Sequence, residues 1–238
     1  WVPEGWDVGE AELDWQEGCV VPAPGGKGGV AIMARVDRQQ GDAFNSAALL
    51  AFDEASGAVS FEKLVRFPSA STKFVVRWDA SSGSYYTLSN PVTGPEPRSD
   101  SQRNVLVMAR SKDLEEWRVC EGGPGGTAAV LLDDTGFTWG DSLRFTGFQY
   151  VDFQLEGEDV VAAIRVGYRG ANTYHNANRL AVARIGGFRA RPCTIGPEGW
   201  ANLVPGLGSG AEGEGGACPW PLASDGRCSG AAAVGHAY

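Results

Sequence analysis

The sequence predicts an all-β protein, and two observations support that prediction. Short runs rich in valine, isoleucine, phenylalanine and tyrosine recur along the 238 residues, separated by clusters of glycine, proline, aspartate and serine. No extended segment shows the periodicity of about 3.6 residues that marks an amphipathic helix. Strands at regular spacing, joined by turn residues, are typical of a sandwich, a barrel or a propeller, and they argue against a βαβ architecture.

Ten segments are predicted to be strands, because each is rich in β-branched or aromatic residues and is bounded by turn-forming residues. In chain order they are Cys19–Val21, Val30–Val36, Ala47–Phe52, Lys73–Trp78, Tyr85–Ser89, Val105–Arg110, Val130–Leu132, Gln149–Phe153, Val160–Val166 and Arg179–Ile185. Beyond about residue 200 the sequence turns to glycine and alanine, which leave little apolar surface to bury. We therefore expect a folded region over residues 1–200 and a C-terminal tail or linker over residues 201–238.

Three turn motifs recur along the sequence. The segment Asp134–Trp139 has the form D-x-G-x-T-W, Ser111–Trp117 has the form S-x-D-L-x-x-W, and Asp53–Phe61 is a weaker version. In each, we expect the aspartate to accept hydrogen bonds from turn amides, a glycine to supply a positive φ, and the aromatic residue to pack between sheets. At roughly 40 to 50 residues per four-stranded blade, residues 1–200 provide about four blades.

The overall charge narrows the classes of partner. The net charge of −9 and the pI near 4.8 repel nucleic acids and anionic membrane surfaces, and the sequence has no cluster of lysine and arginine. An acidic sugar remains compatible, because a few converging arginines bind it at short range. No run of about 18 apolar residues is present, so membrane insertion is not expected. The chain opens on Trp1, so we expect a removed leader or an excised part of a longer protein.

The five cysteines are scattered and lack the close spacing of a zinc site, so neither a metal nor another cofactor is expected. Cys218 and Cys228 are near enough in sequence to close a loop in the tail, which would suit an extracellular or periplasmic protein. The odd count leaves at least one thiol unpaired. For the remaining cysteines, a buried free thiol is the commoner state in a domain of this size.

Seven segments follow one another in an order that resembles a known family. They are Trp15–Gly18, Ala34–Asp37, Ser71–Phe74, Ser89–Pro91, Arg103–Leu106, Tyr150–Gln154 and Tyr168–Asn178. This order, over about residues 1–190, resembles bacterial proteins of the sialidase family, also described as exo-α-sialidase-like, and the last segment is its most specific part. The Asp134–Trp139 turn has the form of the Asp-box of sialidase-type propellers, and the Ser111–Trp117 turn is similar to one in glycosidase propellers.

The resemblance implies a β-propeller that acts on a carbohydrate, with hydrolysis of a glycosidic bond as the expected reaction. Such propellers usually have about six blades, so further blades of the same protein are expected before Trp1. The N-terminal Arg-Ile-Pro signature of well-studied sialidases is not visible in the sequence. Because one fold supports many functions, the reaction has to be argued from individual residues.

Candidate catalytic residues are polar positions that interrupt apolar strands, because propellers collect their ligand groups around a central funnel. Glu17 and Asp152 are a candidate carboxyl pair for glycoside hydrolysis. Tyr168 is the candidate for the tyrosine nucleophile that the resemblance implies, and His175 lies in the same polar segment between two predicted strands. Candidate substrate-binding residues are Arg35, Lys73, Arg103, Gln149, Arg165 and Asn178.

Two alternatives to hydrolysis use the same residues. A polysaccharide lyase eliminates across a uronate, and it needs a base, an acid and a cation that neutralises the carboxylate. Tyr168 and His175 are candidates for the first two roles, and Arg165 is the candidate for the third. The second alternative is a propeller that binds glycans without catalysis.

Overall fold

The computed structural model of the protein describes residues 13–26, 28–38, 45–94, 100–121, 128–132 and 136–204. This part of the chain is mostly β and forms three antiparallel sheets. The predicted all-β class is therefore confirmed, and each of the ten predicted segments overlaps an observed strand. No helix within the described ranges is long and apolar enough to cross a membrane.

The first sheet contains four strands paired in chain order: β1 (Leu13–Pro22), β2 (Val30–Arg38), β3 (Ser46–Asp53) and β4 (Ala58–Arg66). The register of β1 against β2 shifts between Trp15 and Gly18. Such a bulge re-aims the side chains beside it. Here it brings Glu17 of β1 next to Arg35 of β2.

The second sheet is the largest. Its main strands are β5 (Val75–Asp79), β6 (Ser84–Ser89), β7 (Val105–Ser111) and β8 (Arg118–Cys120), and β9 (Ala129–Leu132) also pairs with β7. The third sheet follows a short helix, α1 (Trp139–Phe145), and contains β10 (Gly147–Glu156), β11 (Asp159–Gly167) and β12 (Arg179–Ile185). The chain then returns to the second sheet, where β13 (Cys193–Ile195) pairs with β8.

The second sheet packs between the other two. One face, which includes Val107, shares a core with Met33 of the first sheet, and the opposite face, which includes Met108, shares a core with Ile164 of the third sheet. Successive residues of a strand point to opposite faces, so the apolar run in β7 can serve both cores. All four side chains are at most 1% exposed.

The first strands of the three sheets lie next to one another, because β5 contacts both β1 and β10. Residues at these strands and at their connecting loops therefore meet although they are far apart in sequence. Residues from all three sheets also form the candidate site.

The predicted turn chemistry is present in the Ser111–Trp117 motif. The Asp113 carboxylate accepts hydrogen bonds from the amides of Glu115 and Glu116 at 2.9 and 2.8 Å, and Trp117 is buried. Leu114, rather than a glycine, adopts the positive φ of 69°. Asp53 caps its own turn in the same way, at 2.9 Å from the Ala55 amide.

The Asp134–Trp139 motif is described only in part, because Asp134 lies outside the described residues. The Thr138 hydroxyl accepts a hydrogen bond from the Asp141 amide and so caps α1. Trp139 packs against the core between the first and second sheets. The sequence did not predict this helix, since seven residues are too few to show helical periodicity.

Residues 186–204, called here the closing segment, tie the third sheet back to the second. Arg189 forms two hydrogen bonds of 2.7 and 2.8 Å to the buried Asp79 carboxylate. Trp200 is buried in the core between the first and second sheets. Cys193 forms a disulfide with Cys120 across 73 residues of sequence.

The cysteine pairing differs from what the sequence suggested. Cys120 and Cys193 had no spacing signal, because β13 lies beside β8 only after the whole third sheet has intervened. Cys19 is a free thiol, in line with the odd cysteine count. Cys218 and Cys228 lie outside the described residues, as does all of the predicted tail from residue 205 onward.

Candidate functional site

Three arginines come from three different sheets to one neighbourhood. Arg35 lies on β2, Arg103 lies two residues before the start of β7, and Arg165 lies on β11. Together with the rings of Tyr150 and Tyr174, they form what we call the arginine site.

Arg103 is a buried cation, only 5% exposed. It donates through Nη1 to Oε1 of Gln149, and its Cζ lies 5.5 Å from the ring centroid of Tyr150 and 5.5 Å from that of Tyr174. Among the described residues, its Nε has no hydrogen-bond partner and no carboxylate forms an ion pair with it. A buried cation without an anionic partner is energetically costly.

Arg165 reaches the same tyrosine from the third sheet. Its Cζ lies 5.2 Å from the Tyr150 ring centroid, and its Nη2 donates to the backbone oxygen of His175 at 2.8 Å. Tyr150 is held between two guanidinium groups because β10 has a bulge between Gln149 and Asp152. Tyr150 itself has a φ of 51°, an uncommon conformation for an aromatic residue. Backbone outliers of this kind concentrate at functional sites.

Arg35 adds the third positive charge. Among the described residues, its partner Glu17 is the only carboxylate that forms an ion pair with any of the three arginines. The Arg35 Nη1 lies 3.1 Å from the Glu17 carboxylate; the Arg35 side chain is 13% exposed and that of Glu17 is 41% exposed. Burial lowers the pKa of Arg103, the charge of Arg35 lowers it further, and Tyr150 and Tyr174 oppose both effects. Since one exposed carboxylate faces three cations, the site keeps a net positive charge.

The connection between β11 and β12 carries the remaining candidate groups, and several hydrogen bonds hold it in place. Gln149 is buried and donates through Nε2 to the backbone oxygens of Tyr174 and His175, at 2.6 and 3.1 Å. At the base of the loop, Asn178 donates to the Tyr168 oxygen at 2.8 Å and accepts from the Tyr168 amide at 3.1 Å. The loop is thus fixed at its two ends and near its tip.

Two glycines permit the close approach of this loop to the sheet. A Cβ atom at Gly147 would lie 2.6 Å from the Tyr174 backbone oxygen, and one at Gly167 would lie 2.7 Å from it. These distances are shorter than non-bonded contacts allow, so any larger residue would push the loop outward. The placement of Tyr174 against Arg103 depends on these glycines.

His175 is exposed at the edge of the site, with its ring centroid 6.2 Å from that of Tyr150. Burial lowers the pKa of His175, and the charges of Arg103 and Arg165 lower it further. The neutral imidazole is therefore favoured near neutral pH. A neutral imidazole can accept a proton or a hydrogen bond from a ligand.

The structure brings six of the ten predicted site residues into or against the arginine site. These are Glu17, Arg35, Arg103, Gln149, Arg165 and His175. Gln149 was predicted to bind substrate. In the structure it is buried, and its side chain hydrogen-bonds to Arg103 and to the backbone oxygens of Tyr174 and His175.

The other four residues have different surroundings. Asp152 is 62% exposed and pairs with Arg77 at 2.8 Å. Lys73 lies near the Cys19 thiol, whose pKa is raised by burial and lowered to a lesser extent by nearby cations. Tyr168 contacts Arg169 and Arg179, and Asn178 holds the base of the loop.

Sequence reasoning missed Tyr150 and Tyr174. Tyr150 stands in an apolar run, and the bulge that turns it towards two arginines has no sequence signal. Tyr174 is adjacent to His175 in the polar loop, and that position was the available clue. Within the described ranges, no group of three or more histidine, cysteine or acidic residues is arranged to hold a metal ion.

Comparison with known proteins adds no further assignment. No protein-family model, no curated protein and no solved structure matches the chain. Function is therefore argued from the geometry of the arginine site.

Proposed function

We propose that this protein is a sialidase-like propeller that binds an acidic sugar at the arginine site and hydrolyses its glycosidic bond. The observation that carries the proposal is the buried Arg103 guanidinium, which has no carboxylate partner among the described residues. A guanidinium binds a carboxylate through parallel hydrogen bonds. The carboxylate of an acidic sugar supplies the missing charge.

The arrangement of the sheets supports a propeller. Each sheet is antiparallel, and the first strand of the second sheet contacts the first strands of the other two, as the inner strands of neighbouring blades do. The outer face of the third sheet presents Leu180 and Val182, which are 74% and 51% exposed. In a closed propeller, a further blade of the same protein would cover such a face.

For hydrolysis, the geometry favours Tyr150 over Tyr168 as the tyrosine that attacks the sugar. Arg103 and Arg165 both lie at the Tyr150 ring, where they stabilise negative charge as it develops on the phenol oxygen. Glu17 is the carboxylate that pairs with Arg35 at the arginine site. Asp152 is paired with Arg77, so its place as the second carboxyl group is less well supported.

The test is a turnover assay on the full chain with fluorogenic 4-methylumbelliferyl glycosides of N-acetylneuraminic acid, glucuronic acid and galactose. We expect turnover of an acidic glycoside and none of the neutral one. Arg103→Gln should lower kcat/KM by about 100-fold or more, as expected when one partner of a buried charged contact is lost. The control Arg184→Gln, an exposed arginine on β12 that pairs with Glu156 and Asp159, should change it little.

Elimination by a lyase is the second candidate, and the position of His175 favours it. Arg165 donates a hydrogen bond to the backbone oxygen of His175, so the neutral imidazole lies beside a cation that could hold a uronate carboxylate. An elimination product carries a new C=C bond that absorbs ultraviolet light, and a hydrolysis product does not. Binding of acidic sugars without either product would instead identify a glycan-binding propeller.

An extracellular or periplasmic location fits the same proposal. The Cys120–Cys193 disulfide joins two strands of one sheet. Such bonds persist in oxidising compartments and are rare in the cytosol of most organisms.

A further inference from the structure

A surface pocket of about 140 Å³ lies at the C-terminal end of β7. It is framed by the Ser111–Trp117 turn and by β8, and the closing segment contributes one wall. Its lining includes Arg110, Lys112, Asp113, Glu116, Arg118 and Cys193. We call it the outer pocket. Its volume is large enough for several water molecules, and so for one small oxyanion.

The outer pocket and the arginine site lie at opposite ends of β7. This strand begins at Val105, and Arg110 is five positions later, which corresponds to about 17 Å along an antiparallel strand. Arg103 lies on the other side of Val105, two residues before the strand begins. A ligand in the outer pocket would therefore occupy a site of its own.

Two arginines of the outer pocket face each other across neighbouring strands. The register pairs Arg110 of β7 directly with Arg118 of β8. Directly opposed residues lie on the same face of a sheet, with their Cβ atoms about 5 Å apart. Like charges in this position repel each other, so the pair costs folding free energy as long as no anion lies between the two guanidinium groups.

A third cation lines the same pocket, and two of the three cations are held by neutral groups. Lys112 donates through Nζ to the backbone oxygens of Ser82 and Gly83, at 2.6 and 3.2 Å. Arg118 donates through Nη1 to the backbone oxygen of Thr194 at 3.2 Å. These carbonyl groups position the two side chains and leave their positive charge in place.

Two carboxylates also line the outer pocket, but within the described ranges neither forms an ion pair with its cations. The Asp113 carboxylate is used by the turn, where it accepts hydrogen bonds from the amides of Glu115 and Glu116 and from the Ser111 hydroxyl. The Glu116 side chain is exposed. Three cations and two carboxylates leave the pocket with an excess of positive charge, in a chain whose net charge is −9.

We propose that the outer pocket binds a sulfate or phosphate group between Arg110 and Arg118, with Lys112 as the third cation. Guanidinium groups bind such oxyanions through charge-assisted and often paired hydrogen bonds, and a lysine ammonium adds a compact point charge. A tetrahedral anion offers oxygen atoms to all three side chains at once. The inference is independent of the reaction at the arginine site.

Isothermal titration calorimetry on the full chain tests the proposal. The probes are inorganic sulfate, inorganic phosphate, galactose 6-sulfate and glucose 6-phosphate, with sodium chloride added to keep the ionic strength constant. We expect at least one probe to bind the wild-type protein with a Kd of about 1 mM or tighter. Tighter binding of an ester than of its free ion would identify a modified sugar as the ligand, and the reverse order would identify the inorganic anion.

The variants locate the binding site. Arg110→Gln and Arg118→Gln should each weaken binding by about 10-fold or more, as for the loss of one charge-assisted contact. Arg103→Gln, at the arginine site, and Arg184→Gln, exposed on β12, should keep the affinity of the outer pocket. Without an anion, Arg118→Gln should be about as resistant to urea as the wild type, because it relieves the repulsion from Arg110. A bound probe should raise the urea resistance of the wild type more than that of Arg118→Gln.

Three results would overturn the proposal. The first is that no probe binds. The second is that Arg110→Gln and Arg118→Gln keep the wild-type affinity while Arg103→Gln loses it, which would assign anion binding to the arginine site and leave the proposed function standing. The third is that Arg118→Gln unfolds readily without an anion and binds the probes as the wild type does, which would make this arginine a purely structural residue.

Discussion

The guanidinium of Arg103 donates to the side-chain oxygen of Gln149, and this bond joins the second sheet to the third at the centre of the arginine site. The same Gln149 side chain donates to the backbone oxygens of Tyr174 and His175. One buried amide thus sets the position of the main cation and of the loop beside it. The first prediction tests this coupling.

Gln149→Leu should destabilise the protein by about 2–4 kcal/mol, because it leaves a buried cation and two backbone oxygens without their partner. Urea unfolding measures the loss. Amide hydrogen exchange should become faster in residues 170–177 and change little in β3. Gln154→Leu, at an exposed position on the same strand, is the matched control. Unchanged exchange in the loop would contradict the role assigned to Gln149.

Gly147→Ala should displace the loop and weaken ligand binding, because the added Cβ would lie 2.6 Å from the Tyr174 oxygen. We expect a loss of stability of about 1–3 kcal/mol, as for an overpacked site. Gly140→Ala is the comparison, since that glycine lies in α1 with no atom within 4 Å of the new Cβ. It should be neutral or stabilising. Equal effects of the two substitutions would show that the loop is not held as described.

Asp79→Asn should destabilise the protein by about 2 kcal/mol, because Asp79 is buried and accepts two bonds from Arg189. Hydrogen bonds from Arg189 hold the pKa of the Asp79 carboxyl far below its usual range. A depressed pKa means that the stabilisation is present above the unfolded pKa, near 4, and is lost as the pH falls below it.

The variant should therefore flatten the loss of stability between about pH 4 and pH 2. Chemical denaturation at several pH values measures this. Asp159→Asn, which removes one carboxylate from the exposed ion pairs of Arg184, should leave the free energy of unfolding nearly unchanged. If Asp79→Asn keeps a steep loss of folding stability in acid, that loss comes from other carboxyl groups.

His175 should titrate below the usual histidine pKa, and binding of an anion at the arginine site should raise its pKa. Burial and the charges of Arg103 and Arg165 oppose the protonated imidazole, and a bound carboxylate offsets those charges. NMR titration of the imidazole protons, with and without N-acetylneuraminic acid, measures both shifts, and His236 provides a second histidine signal in the same sample.

Arg165→Gln should raise the pKa of His175 in the free protein, because it removes one of the two nearby charges. If the imidazole is the base of the reaction, activity should rise with pH through the lowered pKa, since only the neutral form accepts a proton. If neither the ligand nor Arg165→Gln changes the pKa of His175, this residue does not belong to the arginine site.

Reduction of the Cys120–Cys193 disulfide should destabilise the protein by about 4 kcal/mol, the chain-entropy value for a loop of this length. Cys120→Ser/Cys193→Ser should behave like the reduced protein. Urea unfolding with and without dithiothreitol measures the difference, and Cys19→Ser should respond to dithiothreitol as the wild type does. Equal stability of the oxidised and reduced forms would mean that β13 needs no covalent link.

The sequence was a good guide to strands and a partial guide to the site. Val105–Arg110 and Val160–Val166 are apolar enough to be recognised as strands without any tertiary information. The three residues of β13 are too few to carry a pattern, and they are ordered by the second sheet. Tyr150 needs a bulge to reach Arg103, and the burial of Arg103 depends on packing from two sheets. Such properties follow from long-range contacts, which residue types alone do not encode.

The position of Trp200 has a consequence for synthesis of the protein. Its side chain completes a core whose other members come mainly from the first two sheets, so that core stays unfinished until synthesis has passed position 200. A nascent chain that pauses earlier exposes apolar surface on residues such as Met33 and Leu49. We therefore expect ribosome-bound intermediates stalled before position 200 to recruit chaperones more strongly than those stalled after it.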